Sequence, residues 1–145
     1  MIVPDVNLLL YAHFREFAHH DEARRWWVQL VSGREPVGVP WLVSIGFVRL
    51  ATHPTKLTMP LSTPQAVAVV ERWLSYQHIS VLLPGTDHLR VLAELLRAAG
   101  QGGNVVPDAH IAAVAIEHDA EIHTNDRGFA RFPGLRWSNP LLAAT

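Results

Sequence analysis

Three aspartates sit where a chain of alternating strands and helices would gather acids. Asp5 ends the apolar start MIVP and is followed by Leu8, Leu9 and Leu10. Asp108 follows Pro107 at the head of an alanine-rich stretch, and Asp126 lies in TNDRG, just after EIHT. A carboxylate beside an apolar run is costly to bury without a partner. Three of them at one sheet edge would repel one another, and a hard divalent cation removes that cost. Mg²⁺ prefers oxygen ligands and keeps several waters, so a few carboxylates suffice. Next to a phosphodiester, such an ion activates water and offsets the charge that builds on phosphate. Each acid alone also has a simpler reading. Asp5 could cap the helix that follows, and Asp108 could cap its own helix, worth about 1 kcal/mol. Asn, Asp and Gly together favour turns, which would account for Asp126.

The elements that must position these residues can be read from the pattern. Ile2–Val3 reads as a short buried strand, and a helix starts with Leu8, Leu9 and Ala12. A second helix runs from His20 to Val31, with Gly33 placed to end it. In it, adjacent Trp26 and Trp27 predict one core ring and one partly exposed ring. Pro36–Val39 is a strand, Trp41–Ala51 a helix and His53–Pro64 a loop. Thr63 and Pro64 begin a helix to about Ser75, with Pro at its first position. A strand over Ser80–Leu83, a helix capped by Thr86 and stopped at Gly100, and a helix from Asp108 to His118 follow. Glu121–Thr124 is a strand, and Arg136–Trp137 a last short one. This alternation predicts an α/β fold, a short parallel sheet covered by helices on both faces. In such sheets functional groups gather at the carboxyl ends of the strands. Asp5 and Asp126 follow predicted strands there.

Composition narrows the classes. The 145 residues fit one domain, 1–145, with a real core. There is no cysteine, which excludes a disulfide scaffold and any thiolate site. No basic segment followed by an apolar run marks a signal peptide, and no apolar run is long enough to span a membrane. A cytoplasmic location is therefore expected. The net charge of −1 does not announce nucleic-acid binding, although Arg supplies all basic residues except Lys56. Nine histidines form no H-E-x-x-H pattern.

Four stretches carry a resemblance to a known family. They are IVPDVNLLLYA (2–12), WLVSIGFVRLATHP (41–54), GGNVVPDAHIAAVAIEH (102–118) and EIHTNDRGFARFPGLRW (121–137). In this order and spacing the chain resembles the PIN-domain ribonucleases, specifically the VapC toxins of bacterial toxin–antitoxin pairs. That resemblance implies a three-layer α/β/α fold and a metal-dependent endoribonuclease using Mg²⁺, or Mn²⁺. The family's acids fall on Asp5, Asp108 and Asp126. Asn7 and Thr124 fall on supporting polar positions that orient ligands or waters. The resemblance also implies a VapB-type antitoxin partner that covers the acids, a homodimer, and a structured RNA substrate such as tRNA or rRNA. Arg49 and Arg127 are candidate phosphate contacts. Phe129 and Phe132 are expected to pack under the last loop.

Two positions depart from the family pattern. Gly46 stands where many members carry a helical Glu, and Gly128 where many carry a further acid. Three acids can hold one Mg²⁺ well and a second only loosely, so one tight metal is expected. The same departures leave a second reading open, an impaired PIN-like domain that only binds antitoxin or RNA. A small-molecule α/β enzyme is a third, against which no G-x-S-x-G, P-loop or G-x-G-x-x-G is present.

Overall fold

The computed structural model describes residues 1–142. Its strands are β1 (Ile2–Pro4), β2 (Val37–Pro40), β3 (Ile79–Leu82), β4 (Glu121–His123) and β5 (Arg136–Ser138). They form one sheet in the order β3-β2-β1-β4-β5, every neighbouring pair parallel. Among the described residues six helices flank it: α1 (Val6–His13), α2 (His20–Ser32), α3 (Trp41–Ala51), α4 (Thr63–Ser75), α5 (His88–Ala99) and α6 (Val105–Glu117). This is the α/β architecture expected from the alternation of strands and helices.

The strands are short and apolar because both faces are covered. Val3, Val37, Val39 and Ile122 are fully buried. An aromatic chain knits α1 to α4 on one side. Phe47 meets Trp73 edge-on with ring centroids 4.7 Å apart, Trp73 meets Trp27 at 5.7 Å, and His13 lies against both Phe47 and Trp73. Both Trp26 and Trp27 are therefore buried, against the expectation that one would be partly exposed. One packs into that aromatic chain, and the other finds a polar partner in the sheet. Phe129 and Phe132 are buried too, as expected, and stack edge-on on each other.

Local chemistry sets the boundaries. Ser62 and Gln65 form a reciprocal capping box at the start of α4, so Pro64 sits second in that helix rather than first. Gly100 ends α5 at φ 71°, a left-handed conformation that costs glycine little. Two start signals misled. Asp87, not Thr86, precedes α5. The last long helix starts at Val105, three residues before Asp108, because a proline in the first turn removes no bonded N–H. Asp108 thus lies within the first turn of α6 and is not its cap. Ala109, Ala112, Ala113 and Ala115 are fully buried, and their small side chains let α6 approach the sheet closely.

Candidate metal centre

β1 and β4 are neighbours in the centre of the sheet, with Pro4 level with His123. The pairing continues one step further, since the Asp5 amide donates to the His123 carbonyl at 2.9 Å. This puts Asp5 beside Thr124 at the carboxyl edge. Thr124 is completely buried. Its Oγ1 accepts from the Asp126 amide at 2.9 Å, so its proton is left for Asp5 Oδ2, at 2.6 Å. One hydroxyl therefore ties two of the acids together. Asp5 occupies the cap position of α1 by backbone geometry, yet its side chain makes no capping hydrogen bond. The carboxylate bonds to Thr124 at the sheet edge, and the Asn7 and Val6 amides stand near enough to favour its charge.

Asp126 keeps its turn role as well. Its Oδ1 accepts from the Gly128 amide at 2.8 Å and starts the short 3-10 helix Arg127–Arg131. Asp108 completes the group from α6. Burial pushes its carboxyl from the ordinary 3.8 up to about 6, with the charges of Asp5 and Asp126 adding to the rise and Arg131 opposing it. Burial likewise raises Asp5, with a smaller push from Asp126. The Thr124 hydroxyl and the Asn7 and Val6 amides pull the other way. Asp108 feels the charges of both other acids and Asp5 that of Asp126, as groups that share a site do.

Whether they suit a cation depends on their donors. All are carboxylate oxygens, which suits a hard ion and not a soft one. Among the described residues no three acid or imidazole groups stand close enough to ligate one ion directly. Their donor chemistry is that of a hard ion that keeps part of its water shell, such as Mg²⁺.

The positions that depart from the family pattern differ from each other. A Cβ on Gly46 would touch only Val6 Cγ2, at 3.6 Å, so a side chain has room there, next to the residue that follows Asp5. A Cβ on Gly128 would meet Arg131 Nη2 at 2.8 Å and Asp126 Oδ1 at 3.0 Å. That space is taken by a guanidinium, and Arg131 is the cation the sequence reading passed over. It lies in the motif T-x-D-x-x-F-x-R-F, where its place beside Phe132 was the available signal. Its Nε donates to the Gly128 carbonyl at 2.7 Å. Arg127 is exposed, and Arg49 is exposed on α3 along a groove with Trp41, Ile45 and Val67. Asn7 borders a second cleft with Tyr11, Leu57 and Lys56, the chain's one lysine.

Comparison with known proteins identifies the family. The PIN domain family matches residues 2–135. Ribonuclease VapC33 of Mycobacterium tuberculosis is 42% identical over 97% of this chain and 99% of its own length. Ribonuclease VapC37 of the same organism is 39% identical over 97% of both. Among solved structures, VapBC2 from Rickettsia felis bound to a promoter DNA fragment superposes with a TM-score of 0.67 at 23% identity, covering 96% of this chain and 98% of that one. Mycobacterium tuberculosis VapC20, described as a sarcin-ricin loop cleaving toxin, gives 0.67 at 20% identity, over 94% and 99%. With the family match spanning residues 2–135 and these identities holding over nearly the whole length, the chain belongs to the PIN-domain family, among the VapC ribonucleases.

Proposed function

We propose that this protein is the toxin of a type II toxin–antitoxin pair, an endoribonuclease that hydrolyses RNA phosphodiester bonds with Mg²⁺, or Mn²⁺, held by Asp5, Asp108 and Asp126. The observation that carries this reading is the Thr124 hydroxyl bridging Asp5 and Asp126 while Asp108 couples to both. When bound, the cation supplies an activated water and offsets charge on the phosphate in the transition state. The protein's own part is orientation. Thr124 fixes the Asp5 carboxylate through its Oδ2. The Gly128 amide fixes Asp126 Oδ1 in the same way. Asp108 gives up its proton near neutral pH, and Arg131 limits the repulsion while offering a cation to the scissile phosphate. Asn7 is suited to hold a water or ligand from the first turn of α1.

The relatives named VapC ribonucleases, and structural neighbours named as VapBC complexes, support the partner assignment. A VapB-type antitoxin would cover the acid edge. The exposed apolar side chains of α3 and α4, Trp41, Ile45 and Val67, are where we place the protein interfaces, including that of a homodimer. No helix among the described residues is long and apolar enough to cross a membrane. A cytoplasmic location matches an RNA substrate. Incubating the purified protein with total cellular RNA tests the reading. Discrete fragments that need Mg²⁺ or Mn²⁺ and disappear with EDTA are expected. No cleavage together with no metal binding by calorimetry would favour the impaired, binding-only domain.

A further inference from the structure

A further cleft flanks β4. It lies between α2 and the β4–β5 edge, holds about 500 Å³, and is bordered by Glu22, Trp26, His123, Ser138, Asn139 and Leu141. Its position ties it to the acid edge. His123 immediately precedes Thr124, and the Ser138 carbonyl accepts from the Thr124 amide at 3.0 Å.

Several of its polar groups already have partners. Trp26 Nε1 donates to His123 Nδ1 at 2.9 Å. An indole only donates, so the proton of the neutral imidazole sits on Nε2, facing Glu121 Oε1 at 3.5 Å. Ser138 Oγ donates to that same oxygen at 2.6 Å. Asn139 spends Oδ1 on the Leu141 amide at 3.0 Å, which leaves its NH₂ free to donate. Arg25 and Gln29, which also border the cleft, are exposed and can turn to water, whereas Glu22 cannot do so with both oxygens. Its Oε2 is shut off from solvent and has no hydrogen-bond partner among the described residues. Buried acceptors are rarely left without a donor, and one in a native protein needs an explanation.

A fitting ligand has a flat apolar body, N–H donors for a carboxylate and an acceptor for an amide. Guanine meets all three conditions. Its N1–H and N2–H₂ lie side by side on one edge, and its O6 accepts. Uracil offers a single N–H. Adenine and cytosine place a ring acceptor next to their amine, which a carboxylate repels. RNA recognition commonly reads splayed bases by these edges. We propose that this cleft is a guanine subsite, with Glu22 as the specificity residue, and that it takes the base of a nucleotide adjoining the phosphate that is cut. This rests on reading the acid edge as an RNA-cleaving site.

The test has two arms so that the two readings fail separately. In the first, guanosine monophosphate and uridine monophosphate are titrated into the protein while the Trp26 indole N–H is followed by NMR. Guanosine monophosphate shifts this signal and uridine monophosphate does not. Glu22→Gln, which keeps size and exchanges an acceptor for a donor, weakens the guanosine nucleotide by roughly tenfold or more. In the second, cut ends in total RNA are mapped. Guanine is enriched at one fixed register from the cut, and Glu22→Gln abolishes the enrichment. Guanosine monophosphate binding without any RNA cleavage would overturn the nuclease reading and leave the subsite standing. Equal response to both nucleotides, an unchanged affinity in Glu22→Gln, or cleavage with no guanine preference would overturn the subsite.

Discussion

Thr124 Oγ1 stands 2.6 Å from Asp5 Oδ2 across 119 residues of sequence, and the same oxygen takes the Asp126 amide. Both capacities of a buried hydroxyl are thus spent on joining two acids. Thr124→Val keeps the shape and removes the joint. Hydrogen bonds to charged groups contribute about 1.5–3 kcal/mol. A stability loss of about 2 kcal/mol in urea denaturation is expected, with Mg²⁺ affinity falling by roughly 10–100-fold in calorimetry. Thr124→Ser retains the hydroxyl and should recover most of both. Equal metal affinity in the valine and serine variants would show that the hydroxyl does not orient the acids.

The raised Asp108 predicts an inverted pH dependence in metal-free protein. Between the ordinary 3.8 and about 6 the folded state holds more protons at this site than the unfolded chain. Its contribution to stability is therefore fully present below 3.8 and is lost as pH rises through about 6. Asp108→Asn cannot ionise and escapes this loss. In EDTA the variant should gain on the wild type between pH 4 and pH 6, and stay ahead above that. Urea midpoints across this range check it. Added Mg²⁺ should reverse the order above about pH 6, because only the ionised carboxylates bind the ion.

The two glycines should respond oppositely to substitution. Gly46→Glu has space, with its nearest neighbour at 3.6 Å, and adds a carboxylate near Asp5. Metal stoichiometry by calorimetry should rise from one tight ion to two. Gly128→Ala drives a methyl towards Asp126 Oδ1 and Arg131. It should weaken Mg²⁺ binding without adding a ligand. Two tight sites in the wild type would contradict the premise of one.

Glu117, at the opposite end of α6 from Asp108, holds α5 and α6 together and gives a control. Its carboxylate accepts from the Gly85 amide and pairs with His88 Nδ1, while His88 Nε2 meets His110 Nδ1 at 2.8 Å. Glu117→Ala leaves these groups unpaired and should cost about 2–3 kcal/mol of stability. Below its lowered melting temperature the variant should bind Mg²⁺ as the wild type does. A large loss of metal affinity in folded variant would mean that this network reaches the site.

Much of this was legible in the chain, and the failures have physical causes. Period and punctuation located the five strands and six α-helices of the described residues but not the two short 3-10 helices, because short buried strands and amphipathic helices leave strong local patterns. Asp5, Asp108 and Asp126 stood out because acids beside apolar runs demand a reason. Arg131 and Glu22 did not. An arginine beside a phenylalanine and a glutamate in the first turn of a helix look like ordinary surface residues, and only tertiary packing sets one against the acids and shuts the other from solvent. Thr124 was placed by resemblance alone. Its hydroxyl acquires its role only when β1 and β4 pair across the middle of the sheet. The start of α6 was misread because Pro107 and Asp108 look like an opening, although Val105 and Val106 precede them in the helix.

The central claim is that Asp5, Asp108 and Asp126 form one site that cuts RNA. Its most direct test is the rate at which Asp108→Asn cleaves total RNA in saturating Mg²⁺, with folding verified by its urea midpoint. The expected result is a folded protein whose rate falls by roughly a hundredfold or more. A folded variant that cleaves at the wild-type rate would place the chemistry elsewhere on the protein.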